Sequence, residues 1–271
     1  MSEEHKSLDI LGVRPIANAI DKTVQKSLEG IESFLSLVCK PALGEVGLLV
    51  QDKVRYWRLN NVLKMLEKAK GKLNFQDGQL ELKSNPRVGI SIIENSSFID
   101  NDEVQEMWAG LFASSCTENG KDDENLIFVD ILKQLTTAQA QIVKFGVENT
   151  KKIIHQNGLV TASILEVNCN LITQLTGLTN YHRIDRELDY LISLGLIDPY
   201  GGGFKPSSKE LIADISPSYL ALSLYIRTQG STLNPDVYWK NELIPLSVYE
   251  KDIGKVSTTK RKKIVRKNKK N

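Results

Sequence analysis

A chain of 271 residues with 41% hydrophobic and 25% charged side chains can bury a sizeable core in one large domain or two ordinary ones, which excludes a wholly disordered or fibrous protein. The formal net charge of +2 hides an asymmetry, because residues 255–271 carry nine Lys or Arg and no acid, leaving −7 on residues 1–254. Cys39, Cys116 and Cys169 share no CxxC spacing, and the polar start MSEEHKSLD is no signal peptide, so small buried thiols in a reducing, cytoplasmic setting are expected.

In chain order, Ile16, Ile20, Val24, Leu28, Ile31, Leu35 and Val38 give a first helical pattern, started by Pro15 and broken by Pro41. Ile31–Val50 is the most apolar span. Glu32, Lys40, Pro41 and Glu45 interrupt it, so it falls short of a membrane-spanning helix. Pro41–Leu73 then predicts one long amphipathic helix, with Leu43, Val46, Val50, Val54, Trp57, Val62, Met65, Ala69 and Leu73 on its apolar stripe. It is the spine on which the other helices are expected to pack. Asn74–Asn85 is a polar connector with a turn at Asp77-Gly78, and a short apolar piece follows Pro86.

DNDEVQEMWAGLFASSC carries the clearest local signal. Asp100 and Glu103 have capping-box spacing, and Val104, Met107, Trp108, Leu111 and Phe112 fall on one helical face. Leu126–Leu135 predicts a short helix. Thr137 is expected to cap another that runs through Ile142, Phe145, Val147 and Ile154 to Gly158.

Ile164–Leu175 predicts a further helix. Gly177 then turns the chain, Thr179 caps, and Ile184, Leu188, Leu191 and Ile192 form a core stripe closed by Gly195. Leu196-Ile197 is expected to begin a strand, Pro199–Gly203 to turn as a wing tip, and a return strand to follow. Helix, turn, helix and two-stranded wing is the order of a winged helix. Ser216-Pro217 is expected to cap and start a helix through Leu220, Leu224 and Ile226. Tyr238, Trp239 and Tyr249 are expected to pack, and residues 255–271 have no apolar face to bury.

Three stretches, PALGEVGLLVQDKVRYWRLNNVLKMLEKAKGKL, DNDEVQEMWAGLFASS and FVDILKQLTTAQAQIV, resemble the bacterial abortive infection alpha family over roughly residues 35–230. They match that group's DKVRYWR-type helix, its DEELQDMWANLLA-type helix and its F-x-x-I-L-K-x-L-S-P junction. The resemblance implies a part in phage defence, in which an infected cell is arrested or killed before the phage matures. It implies no catalytic residue and no target. The expected fold is mainly α: an N-terminal amphipathic arm (1–40), a helical bundle (41–135), a winged-helix-like α+β domain (136–230), an extension (231–254) and the basic tail (255–271).

For chemistry the residues offer little. His5, His155 and His182 have no partners at metal-ligand spacing, and no nucleophile–base pairing stands out. The expectation is a non-enzymatic protein with no metal and no cofactor. Arg55, Tyr56 and Arg58, beside Trp57, are candidates for a partner-binding face, because Arg, Tyr and Trp are enriched at interaction hot spots. Trp57 itself is expected in the core. His182, Arg183 and Arg186 are candidates on the second helix of the winged-helix-like segment.

Asp185, Glu187 and Asp189 outweigh the two arginines there, so a protein partner, from phage or host, fits better than DNA. Self-association stays open. In the tail, Lys260, Arg261, Lys262, Lys263, Arg266 and Lys267 suit nucleic acid, an anionic membrane at its inner face, or only a solubilising end. Two further readings remain beside the protein-binding one. The first is a membrane-acting effector using residues 31–50 and the tail. The second is a nucleic-acid-binding regulator.

Overall fold

The computed structural model describes residues 22–39, 53–73, 82–200, 202–205 and 210–251. It is mostly helical with three small sheets. The chain divides into two compact units, residues 1–140 with 224–232 and residues 141–223 with 233–271.

The first unit is organised around α4, Asp102–Ser114, and its neighbours α1 (Lys22–Val38), α2 (Lys53–Lys72), α3 (Pro86–Ser96) and α5 (Asn125–Leu132). A two-stranded antiparallel ladder, β1 (Lys83–Ser84) with β2 (Cys116–Thr117), closes the sequence between them. The expected stripe of α4 is buried throughout, with Trp108 and Phe112 fully enclosed and the Phe34 and Phe112 ring centroids 6.0 Å apart. Each such side chain contributes about 1.5–3 kcal/mol by leaving water. The helix starts one residue later than expected. Asn101, not Asp100, is the cap, its side chain accepting the Val104 N–H at 3.0 Å.

Helix α2 covers the described part of the predicted spine. Residues 41–52, with Leu43, Val46 and Val50, lie outside the described residues. Leu59, Val62, Leu63, Met65, Leu66 and Ala69 are buried as it packs along α4. At the margin Lys68 pairs with Asp102 at 2.6 Å and with Glu106 at 3.2 Å, and Lys72 also reaches Glu106 at 3.2 Å. The hydrogen bond from Lys68 holds the Asp102 carboxyl below its ordinary range.

Trp57 corrects the reading of the stripe, for it is 40% exposed. Five residues separate it from Val62, a rotation of about 140° on a helix, so it leaves the buried face. One turn on stand half-buried Asn60 and buried Asn61, and two turns on exposed Lys64.

The first unit is completed by residues 224–232, which include the end of α9 (Tyr219–Thr228). A Cβ on Gly110 would stand 1.7 Å from the Thr228 carbonyl oxygen, so the glycine is what lets α4 approach this backbone.

The second unit begins at Gln141, within α6 (Thr137–Glu148), which ends ten residues before the expected Gly158. Thr136, not Thr137, caps it, in a reciprocal box with Gln139. Lys152–Ile154 is β3 rather than helix. It pairs antiparallel with β4 (Val160–Ala162) around a turn that needs Gly158 at φ +85°, and parallel with β8 (Ile244–Pro245). Ile164–Leu175 is likewise not one helix. It holds β5 (Glu166–Asn168) and then α7 (Cys169–Thr176), which Asn168 caps.

Gly177 turns the chain at φ +72°, and Asn180, not Thr179, caps α8 (Tyr181–Ser193). Ile184, Leu188 and Leu191 are buried there, and Ile192 is half-buried. Leu196-Ile197 forms only an isolated bridge to Pro217 and no strand. The hairpin is made by β6 (Gly203–Phe204) and β7 (Ile212–Asp214), in a sheet ordered β5-β7-β6. Gly203 therefore opens β6, where it pairs with Asp214, rather than forming a tip.

Ser218 rather than Ser216 caps α9, its hydroxyl accepting the Ala221 N–H at 3.2 Å. Ser216 instead bonds Asp214 and the Leu165 N–H.

The segment after α9 packs as expected from its aromatics. Trp239, just past α10 (Pro235–Tyr238), is buried and meets Tyr238 edge to face at 5.1 Å. The Lys152 ammonium lies 5.1 Å from the Trp239 ring centroid and donates to the carbonyls of Val147 (2.5 Å) and Thr150 (2.7 Å) at the end of α6. Burial pushes its pKa down. Cys39, Cys116 and Cys169 are all buried and none forms a disulfide, and burial pushes the Cys116 thiol up to about 12.

Candidate functional site

Helix α8 exists because Asn180 caps its first turn and its apolar residues recur on one side. Burying that side leaves Tyr181, His182, Arg183, Arg186, Asp189 and Tyr190 exposed. His182, Arg186, Asp189 and Tyr190 follow at i, i+4, i+7 and i+8, so they share one outward strip. Arg183 is engaged by Glu187 one turn on, at 3.4 Å, and Glu187 is buried beneath it. The strip therefore mixes one histidine, one arginine, one carboxylate and one tyrosine ring, with Tyr181 exposed beside it.

Around the start of this helix, Asn168, Cys169, Asn170, Tyr181, Glu210 and Leu211 line a hollow of about 510 Å³. Its walls are polar and acidic rather than basic. Lys205, on the hairpin, is tied to Glu166 and lies 3.8 Å from Asp214. That partnership raises the lysine's pKa and commits its charge within the sheet.

A second cleft, of about 490 Å³, lies where β4, the end of α8's outgoing loop and the start of α9 meet. Ile164, Tyr200 and Tyr219 line it and are 69%, 98% and 50% exposed. His155 closes one end, with its Nε2 3.0 Å from the Thr161 hydroxyl. The hydroxyls of Ser216 and Ser218 face it but are held by Asp214 and the Gly195 carbonyl.

Sequence reasoning missed this cleft. Its parts come from three separated stretches, and its one local signal was an aromatic, Tyr200, in a glycine-rich turn.

In the first unit, the side chain of Arg55 lies outside the described residues, and Tyr56 is exposed. Arg58 is half-buried and committed: its Nε donates to the Ser97 hydroxyl at 2.9 Å, and its guanidinium stacks 4.1 Å from the Phe98 ring centroid. The candidates are thus not one cluster. Lys260, Arg261, Lys262, Lys263, Arg266 and Lys267 lie outside the described residues.

Among the described residues, no group of three or more His, Cys, Asp or Glu is arranged to hold a metal ion, and no helix is long and apolar enough to cross a membrane.

Comparison with known protein families gives a match. The family model "Abortive infection alpha" matches residues 58–237, a span that takes in α2 beyond Trp57, all of α4 and α8, and both clefts. No curated protein and no solved structure matches the chain. The match covers most of the sequence and takes in the MWAGLFA stretch, whereas DKVRYWR lies before it except for Arg58: the chain belongs to the abortive infection alpha family.

Proposed function

We propose that this chain is a non-enzymatic phage-defence protein of the cytoplasm that acts by binding another protein through the exposed strip of α8. In this reading, residues 41–135 form a helical bundle and the segment from β5 to β7 is a winged helix. Strand, helix, turn, helix and hairpin follow in that module's order, and the middle place of β7 in the β5-β7-β6 sheet fits it.

The observation that carries the reading is the chemistry of the outward face of α8. Two tyrosines and a histidine stand among charges whose sum on Tyr181–Ser193 is negative, with two arginines against three acids. A helix that docks in a DNA groove draws its affinity from lysine and arginine on phosphate. Tyrosine and arginine are instead enriched at protein-binding hot spots.

The test is phage challenge of bacteria expressing the chain. Plating efficiency is read beside survival of the culture at low and high phage load. The expected outcome is protection at low load with collapse at high load, lost by about tenfold or more in a His182→Ala, Tyr190→Ala double variant whose melting is unchanged. Full protection by the double variant would overturn the reading. So would retardation of duplex DNA at low salt that Arg186→Glu abolishes.

A further inference from the structure

The cleft beside β4 sets aromatic and apolar residues beside a carboxylate. Tyr200, Tyr219, Pro199, Pro217 and Ile164 line it. Among the described residues that line it, Asp198 is the one carboxylate and none is a lysine or arginine. The two serine hydroxyls are already bonded inward, so aromatic faces and the Asp198 carboxylate are what remains for an occupant. Aromatic rings with a nearby carboxylate accept lysine or arginine, the stem lying on the apolar wall and the charge meeting ring faces and oxygen.

The sequence contains such an occupant. Residues 255–271 carry nine Lys or Arg and no acid, whereas residues 141–223 with 233–251 carry nine Lys or Arg against eleven Asp or Glu. The last described residue, Lys251, belongs to the same unit as the cleft. Twenty residues follow it, enough chain to span up to about 65 Å when extended.

Strand β8 ends six residues before Lys251. Strand β8 lies on β3, and the other neighbour of β3 is β4, which contributes Thr161 and Ala162 to the cleft wall. At about 4.8 Å between strands, β8 and β4 are about 10 Å apart. Tethering at that range supplies an effective concentration of order millimolar, so a weak contact suffices.

We propose that the cleft formed by Asp198, Tyr200, Tyr219 and Ile164 is the docking site of the chain's own basic C-terminal segment, 255–271. Docked there, the segment covers the exposed tyrosines, and its charge is balanced within the chain.

Photo-crosslinking in the full-length protein tests this, with p-benzoylphenylalanine in place of Ile264. Mass spectrometry is expected to place the crosslinks within one chain, on residues 155–164, 198–200 and 216–219. Asp198→Asn with Tyr200→Ala is expected to cut their yield by roughly fivefold or more, and Tyr200→Phe, which keeps the ring, to leave it intact. Tyr200 is 98% exposed and Asn keeps the turn acceptor for the Tyr200 N–H, so neither change threatens the fold. Crosslinks scattered over the surface, crosslinks joining two copies, or an undiminished yield in the double variant would each overturn the proposal.

Discussion

Lys152 is a charged residue placed where charge is costly. It is 4% exposed, and its ammonium is satisfied by two carbonyls at the end of α6 and by the face of Trp239. Cations at a helix C-terminus complement its dipole, which explains why a lysine rather than an apolar residue sits there. Desolvation nonetheless lowers its pKa below that of an unfolded lysine. Between the lowered value and about 10.5 the unfolded chain binds more protons than the folded one, so stability at this group rises with pH. Wild-type protein is therefore expected to gain stability relative to Lys152→Met as pH is raised from 8 towards 10.5, read by urea unfolding. A gap that narrows with pH would contradict this. Arg58 teaches a related lesson at the same scale: a residue typical of binding surfaces is used here to hold Ser97 and Phe98 at the end of α3.

At the level of the helices, two glycines make opposite predictions. Gly110 in α4 faces the backbone of Thr228, and a methyl group has no room there. Gly110→Ala is expected to cost about 3 kcal/mol or more, because backbone rather than a flexible side chain must yield. Gly30 lies in the interior of α1 with nothing within 4 Å of the added carbon. Gly30→Ala is expected to add about 0.5–1 kcal/mol, by restricting the unfolded chain. Denaturant midpoints of the two variants give the comparison directly.

The same scale shows what the sequence makes legible. Periodicity located the cores of α4 and α8 because burial on one face requires it. It placed the caps less well. Asp100-Asn101-Asp102, Thr136-Thr137, Thr179-Asn180 and Ser216-Pro217-Ser218 each offer neighbouring residues able to cap, and tertiary packing selects among them. The β3–β4 hairpin was hidden because Ile153 and Ile154 continue a helical pattern. It takes Gly158 and the pairing with β8, some ninety residues on, to make them a strand. The tyrosine-lined cleft was illegible for the same reason, since residues 155–164, 198–200 and 216–219 meet only after folding.

For the whole molecule, connectivity matters more than any one contact. The first unit takes most of its residues from the start of the chain and the remainder from 224–232. Leu224, Ile226 and Thr228 are buried. A chain ending at Ser223 is therefore expected to expose apolar surface in its first unit and to bind a hydrophobic dye several-fold more strongly than the full chain. Equal dye binding would mean that residues 1–140 close their core alone.

This arrangement also sets a clock during synthesis. The groove beside Gly110 is finished early, but its occupant is not made until the ribosome has passed Thr228. At about 5–20 residues per second, the delay after Ala140 is roughly 4–18 s. During that interval the nascent chain carries an open helical core, exposed to chaperones and proteases.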